Sequence, residues 1–297
     1  MHLVNFGMPS SKVSWKYRDI YEKIVKSAWL LSQFKDKDFT LQTAENLFTQ
    51  NIDPEKIGLG HIALIPEFAA QIAGYTQSPQ RIEGLHMFLD VGAGTIDVSL
   101  FNSLFNNYQG STGEEKIPIF SSEVRPLGTR FLLQHRISIL DEREAWHDHH
   151  SSMTSHDFAN HFGCDFQKIR VSDLQFIQEV KTVLRRNIHL TRKDRNPHSS
   201  AWEEGLRTFM SGGGSRCELY SSALHEAFDE LKVKLLPMET PFLDRANELR
   251  EGSHRLSVAY GLTFDSEVIG KIVTPDEIPD IRPTSKHSSI DISELYS

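Results

Sequence analysis

Two short stretches of the chain carry residues whose types and spacing suit phosphate chemistry. In FLDVGAGTIDVSLF, Asp90 ends one apolar run, Gly92, Ala93, Gly94 and Thr95 follow, and Asp97 opens the next run. Glycines let a backbone approach a ligand closely and turn several N–H groups toward one anion. A carboxylate at the mouth of such a turn, here Asp90, can hold a hydrated magnesium ion, which keeps several waters and takes one or two carboxylates. The plainer reading is a tight hairpin, with glycine for geometry and aspartate for solubility. Neither the Walker A pattern nor the dinucleotide fingerprint fits, because there is no Gly-Lys-Ser/Thr ending and a strand follows the turn. The second stretch, TFMSGGGSRCELYSSAL, runs from a strand through Ser211, Gly212, Gly213, Gly214, Ser215 and Arg216 into a helix. Helix amides and bare backbone meet there at a strand end, where open sheets gather their ligands. The Arg216 guanidinium can stack on a planar base; its plainer reading is a surface arginine at a helix start.

The elements around these stretches are those of an α/β chain. Leu3, Val4 and Phe6 read as a strand that stops at Gly7 and Pro9, and Ser14 to Phe34 reads as an amphipathic helix. Another helical stretch covers about Leu41 to Gln50, HIALIP is a strand, and PEFAAQIAGY is a helix starting near Pro66. From Leu85 to Phe120 the period becomes extended, and three consecutive strands predict an antiparallel meander. A helix from about Gly128 to Leu140, an irregular polar stretch and a helix near Asp173 to Ile188 come next. The strand RTFM, a helix from about Ser215 to Leu231, the strand KVKLLP and a helix near His254 to Phe264 complete the order. This order fits one sheet with helices packed on it. Residues 265–297 read as a flexible tail, most plainly from Thr274, where Pro, Ser, Asp and Ile mix without period.

A formal charge of −8 argues against a general affinity for nucleic acid, which depends on neutralising phosphates. One basic run, Arg185, Arg186, Arg192, Lys193 and Arg195, reads as a solvated helix end and loop rather than a polyanion site. The cysteines, Cys164 and Cys217, lack zinc or redox spacing and suit a reducing compartment. No run approaches the roughly 18 apolar residues of a membrane helix, and no secretory signal is visible, so a cytoplasmic location with no membrane contact is expected. WHDHHSSMTSHDFANHFGC gathers His147, His149, His150, His156, His161, Asp148, Asp157 and Cys164. These are zinc-ligand types, but their spacing matches no standard zinc site, and a polar surface insertion is the simpler reading.

Taken in order, four motifs resemble the actin superfamily of ATPases, nearest in style to the seventy-kilodalton heat-shock chaperones and bacterial actin-like proteins. LDVGAGTIDVSLF is similar to that superfamily's second phosphate motif, MSGGGSR to its adenosine motif, and PEFAAQIAGY and LSVAYGLTF to its two connecting helices. The resemblance runs from about Leu3 to Phe264. It implies a ribonuclease-H-like mixed sheet with flanking helices that binds ATP with magnesium. Residues 1–84 would be a remnant of the first lobe with its connecting helix, and 85–264 the second lobe, with a variable subdomain at about 141–200. Asp90 resembles the aspartate that organises magnesium and water. Gly92, Ala93, Gly94, Thr95 and Asp97 resemble the phosphate turn, Ala93 standing where the chaperones commonly have glycine. Glu67 occupies the place of an acidic residue that helps position the attacking water; otherwise it is an exposed carboxylate in a first helical turn. PLGTRFLLQHR puts Gly128 and Thr129 near the nucleotide, while Glu179 and Lys181 resemble residues approaching ribose and adenine. Gly212, Gly213, Gly214, Ser215 and Arg216 match the adenosine loop.

The superfamily's first phosphate motif has no counterpart before Leu3, and the residues that follow Phe264 in this sequence are too few for the peptide-binding domain of the chaperones. Most of the first lobe is therefore expected to be missing, and half a phosphate clamp should hydrolyse ATP poorly. Besides an ATPase domain, two other readings stay open: a nucleotide-responsive scaffold or filament-forming protein that works with a protein partner or by self-assembly, and an inactive truncated product.

Overall fold

The computed structural model describes residues 2–8, 17–33, 40–103, 116–140, 148–239, 253–269 and 271–278. Strand β1 (His2–Met8) pairs in parallel with β2 (Leu59–Pro66), and helices α1 (Arg18–Ser32) and α2 (Leu41–Thr49) lie between them in the chain. A parallel pair needs such a crossover. Thr40 caps α2, its hydroxyl accepting from the Thr43 amide at 3.2 Å. Trp29 of α1 donates to the Ile57 carbonyl at 3.0 Å, fastening the helix to the turn before β2.

Pro66 stands at the cap of α3 (Glu67–Thr76), one residue later than the sequence reading. Alanines and large apolar residues surround this helix, and Phe68, Ala69, Ala70, Gln71, Ile72, Ala73, Tyr75 and Thr76 are all buried. A helix covered on nearly every side belongs between layers, not on a surface.

Six strands form the main sheet: β3 (Gly84–Val91), β4 (Ile96–Ser103), β5 (Lys116–Arg125), β6 (Leu206–Ser211), β7 (Leu235–Met238) and β8 (Lys271–Val273), in the order β7-β6-β3-β4-β5-β8. The first three make the expected antiparallel meander, whereas β6 joins β3, β7 joins β6 and β8 joins β5 in parallel. The fold is thus mixed α/β with flanking helices. Alternate residues of β3 feed two cores: Leu85, Met87, Leu89 and Val91 pack with Ile96, Val98 and Leu100, while Phe88 packs with Phe68, Tyr75, Phe101 and Phe209. Edge contacts between aromatic rings, such as Tyr75 with Phe209 at 4.8 Å, join α3 to the sheet, each worth roughly 0.5–1.5 kcal/mol beyond area burial.

The remaining α-helices among the described residues are α4 (Thr129–Ile137), α5 (Ser155–Phe162), α6 (Phe166–Leu190), α7 (Ala201–Glu204), α8 (Glu218–Leu231), α9 (Ser253–Gly261) and α10 (Ser266–Ile269). Three features differ from the sequence reading. The stretch read as irregular contains α5, capped by the Thr154 hydroxyl, and α6 begins at Phe166 rather than Asp173 because the Asp165 carboxylate accepts from the Gln167 amide at 2.8 Å. The basic run is not simply solvated: Arg185 pairs with Glu230, Arg186 with Glu123, Arg192 lies over the Trp202 ring, and Arg195 donates to the Pro275 and Ile278 carbonyls. Finally, the tail expected from residue 265 includes α10 and β8, since a three-residue strand needs only an open edge, here that of β5. Residues 279–297 lie outside the described residues.

Helices α3 and α9 cross in close contact. A Cβ placed on Gly261 would stand 1.7 Å from the Ala70 carbonyl oxygen. Ala69, Ala70 and Ala73 form a small core there, with Val258 and Leu262 against it. Among the described residues, no helix is long and apolar enough to cross a membrane.

Candidate nucleotide-phosphate site

Three loops meet beyond the end of β3. The first is the turn of Gly92, Ala93, Gly94 and Thr95 between β3 and β4, where Asp90 faces Asp97 across the ladder. Gly92 N–H closes it by donating to Thr95 O at 2.8 Å. The second is the start of α4: the Thr129 amide donates to Gly92 O at 3.1 Å and the Arg130 amide to Ala93 O at 2.8 Å. Here the N-terminal amides of α4 are spent on the turn, which orients its carbonyls toward the helix. The amides of Ala93 and Gly94, at the exposed tip, have no hydrogen-bond partner among the described residues. Gly128 must be glycine for space, because a Cβ would lie 2.5 Å from Ala93 O.

The third loop runs from Ser211 to Arg216 and is docked on the first, Gly214 N–H donating to Val91 O at 2.8 Å. Gly212 has φ +87°, and a Cβ on it would stand 2.2 Å from Asp90 Oδ1. Both the dihedral and the approach exclude other residues. Ser215 folds back, its hydroxyl donating to Gly212 O at 2.8 Å, while Gly213 and Arg216 are exposed.

The electrostatics single out the carboxylates. Asp90 and Asp97 are half-buried as residues, yet Oδ1 of each is fully enclosed without a hydrogen-bond partner. Burial pushes Asp97 up to about 6, the Thr95 hydroxyl opposing and the charges of Asp90 and Glu67 adding to the rise. Burial also raises Asp90, against a hydrogen bond from Gln71, and raises Glu67, with Asp90 adding to it. Enclosed, unpaired carboxylate oxygens, with Asp90 raising both Asp97 and Glu67, are groups that a positive charge would relieve. Among the described residues no three His, Cys, Asp or Glu side chains converge as a ligand set. Magnesium needs no such set, since it takes one or two carboxylates and completes its shell with water and phosphate oxygens. In the histidine-rich stretch, buried His150 packs against His161 and Phe162, and His147 with the side chains of Asp148 and His149 lies outside the described residues.

Sequence reasoning missed Gln71, whose Nε2 donates to Asp90 Oδ2 at 2.6 Å from the middle of α3. Its spacing of four from Glu67 sets both on one helix face, which was the available signal. Gly7 of β1 lies against the Glu67 side chain, 3.5 Å from a Cβ position. Tyr220 was missed too; its hydroxyl donates to Leu127 O at 2.8 Å, pinning the segment before α4 to α8. The two residues assigned to ribose and adenine part company: Glu179 is exposed, whereas Lys181 is buried and pairs with Glu226 and Glu230 at 2.8 and 2.5 Å. These pairs join α6 to α8.

No family model matches the chain, and no curated protein matches it. Among solved structures it is similar to MreB5 of Spiroplasma citri bound to ADP, at 12% identity and TM-score 0.46, over 87% of this chain and 67% of that one. It is also similar to the PilM–PilN type IV pilus biogenesis complex, at 13% identity and TM-score 0.45, over 88% of this chain and 78% of the other. A third is apo pSK41 ParM, at 13% identity and TM-score 0.41, over 91% of this chain and 64% of that one. These neighbours are of the actin-like ATPase superfamily that the four motifs resemble. All three identities are low.

Proposed function

We propose that this chain is a nucleotide-binding domain of the actin-like type, in the style of the heat-shock chaperones, and that its ligand is ATP with magnesium. The observation that carries the reading is the interlock of three loops around enclosed, unpaired oxygens of Asp90 and Asp97, beside the unpartnered amides of Ala93 and Gly94. The turn of Gly92 to Thr95 cradles the phosphates with its tip amides. Asp90 and Asp97 would hold the magnesium, which when bound would supply the positive charge that phosphate oxygens require. Gly212, Gly213, Gly214 and Ser215 let the adenosine moiety approach the backbone, and Arg216 stacks on the base. Gln71 holds Asp90 in place, and Glu67, its carboxyl raised by burial and by Asp90, orients and takes a proton from the attacking water.

Turnover is slow in this reading. Phosphoryl transfer depends on charge stabilisation from several sides, and among the described residues the charged groups that shift Glu67 and Asp97 are carboxylates. The nucleotide then acts chiefly through the crossing of α3 and α9, whose relative position a protein partner or a second copy of the chain reads.

Calorimetric titration with ATP in excess magnesium tests this. Binding is expected for the wild type and lost in Asp90→Ala; absence of binding, or equal binding by Asp90→Ala, contradicts it.

A further inference from the structure

Helix α4 is fixed at both ends, by the phosphate turn at one and by a buried charge pair at the other. Near its C-terminus Arg136 is fully buried, with Nε donating to Asp173 Oδ1 at 2.8 Å and Nη2 to Asp173 Oδ2 at 2.9 Å. Its Nη1 donates to Met153 O at 3.0 Å, and its guanidinium lies 5.1 Å from the Phe158 ring centre. Asp173 is held in turn by the Ser155 hydroxyl at 2.7 Å. Thus one side chain of α4 engages α6, the segment before α5, and α5 itself. One turn before Arg136, Leu133 packs in a separate small core with Phe158, Ala159 and Ile169, while Leu132 belongs to the main core under the sheet. The helix bridges two bodies.

Its nine residues span about 13 Å at 1.5 Å per residue. A helix this short moves as a rod, so a shift of Arg136 reappears at Thr129 and Arg130. Those amides are the ones bonded to Gly92 O and Ala93 O, and the backbone of Gly128 runs so close to the turn that a Cβ there would stand 2.5 Å from Ala93 O. A buried bidentate pair is an unusual expense for fold stability alone, since well-packed apolar residues often serve as well. What it adds is a fixed angle.

We propose that Arg136, through its pair with Asp173 and along α4, is a positioning residue for the phosphate turn, making the turn's shape depend on where the 153–173 segment sits. The proposal rests on the nucleotide reading only for its consequence; the turn geometry is testable without a ligand. The segment from α5 to the first turns of α6 becomes a place where a bound protein can alter nucleotide affinity without touching the nucleotide.

The test uses the full chain with Arg136→Lys, which keeps the charge and loses the fork, and Asp173→Asn. Ile188→Ala serves as a control, on the same helix as Asp173 but buried in the main core. Magnesium–ADP affinity and amide hydrogen exchange over residues 91–97 and 128–131 are measured at a temperature where circular dichroism shows each variant folded. The expected result is an affinity loss of at least tenfold and faster exchange in both peptides for the first two variants, with neither in Ile188→Ala. Wild-type affinity and exchange in folded Arg136→Lys overturn the proposal. If the wild type does not bind ADP, the nucleotide reading fails and exchange alone decides the positioning role. Should Arg136→Lys not fold, Ser155→Ala removes a single bond to Asp173; it is expected to weaken ADP two- to threefold and to speed exchange, and no change in either counts against the proposal.

Discussion

Replacing Gly261 by alanine sets two effects against each other with magnitudes that can be compared. Gly261 ends α9, so the roughly 1 kcal/mol by which alanine is favoured over glycine in a helix interior is the most the substitution can gain. Against this, the new Cβ would lie 1.7 Å from Ala70 O, 2.4 Å from Ala70 C and 2.8 Å from Ala70 Cα. These are backbone atoms of a buried helix and have no rotamer to change, so α9 and α3 must separate by more than an ångström. Separation loosens the small core of Ala69, Ala70, Ala73 and Ile269, and forced overpacking of this kind typically costs about 1–3 kcal/mol. The clash is severe enough for its upper end to apply, leaving a net destabilisation of about 2–3 kcal/mol. Function should suffer as well, because α3 carries both Glu67 and Gln71, and the 2.6 Å bond to Asp90 tolerates little displacement. Urea unfolding followed by circular dichroism reads the first effect as a lower midpoint at unchanged slope, and nucleotide titration reads the second. A variant as stable as the wild type or more so, with unchanged affinity, would refute the reasoning about the crossing.

Stability should respond to pH through two groups of opposite sign. Asp97 has its native value raised to about 6, so the native state holds the proton more tightly; the contribution is present below about 4 and lost as pH rises through 6, up to about 3 kcal/mol. In Asp97→Asn this falling limb should vanish from unfolding curves taken between pH 4 and 7. His86, lowered to about 4 chiefly by burial, contributes stability present above about 6.5 and lost as pH falls toward 4. Tyr75→Phe strips the hydroxyl that bonds His86 Nε2 at 2.9 Å and accepts from Ile82 N–H at 2.8 Å; leaving buried groups unmatched should cost about 1–3 kcal/mol in chemical unfolding. Lys181→Met loses pairs whose carboxylates are 50% and 39% exposed, so water screens them and only a small loss of stability is expected in urea unfolding. If Lys181 also approaches the ribose, nucleotide affinity falls beyond what stability explains; if it only joins α6 to α8, affinity stays unchanged.

Much of the fold was legible because its signals are local. The meander follows from alternating apolar residues in β3 and β4, and the two glycine loops follow from Gly92, Gly94 and the run Gly212 to Gly214 between strand and strand or strand and helix. What stayed hidden depends on contacts between distant elements. Gln71 looks like any polar residue in an alanine-rich helix until α3 is laid over β3. Arg136 and Asp173 lie 37 residues apart on helices whose crossing no periodicity encodes. Lys181 carried the right residue type for a ribose contact, but two glutamates of α8 compete for it. Strand β8 is three residues long, too short for its pattern to stand out in a polar tail.

If the enclosed carboxylates at the turn hold magnesium with a nucleotide, binding must displace protons, and linked proton release reads this most directly. Magnesium–ATP titrations at pH 6 in two buffers of different ionisation enthalpy give the number of protons displaced. Because Asp97 is partly protonated at that pH and must ionise beside a cation, the account predicts saturable binding with net proton release that disappears in Asp97→Asn, and affinity that rises as pH passes through 6. No binding, or binding with the same proton count in wild type and Asp97→Asn, would contradict it.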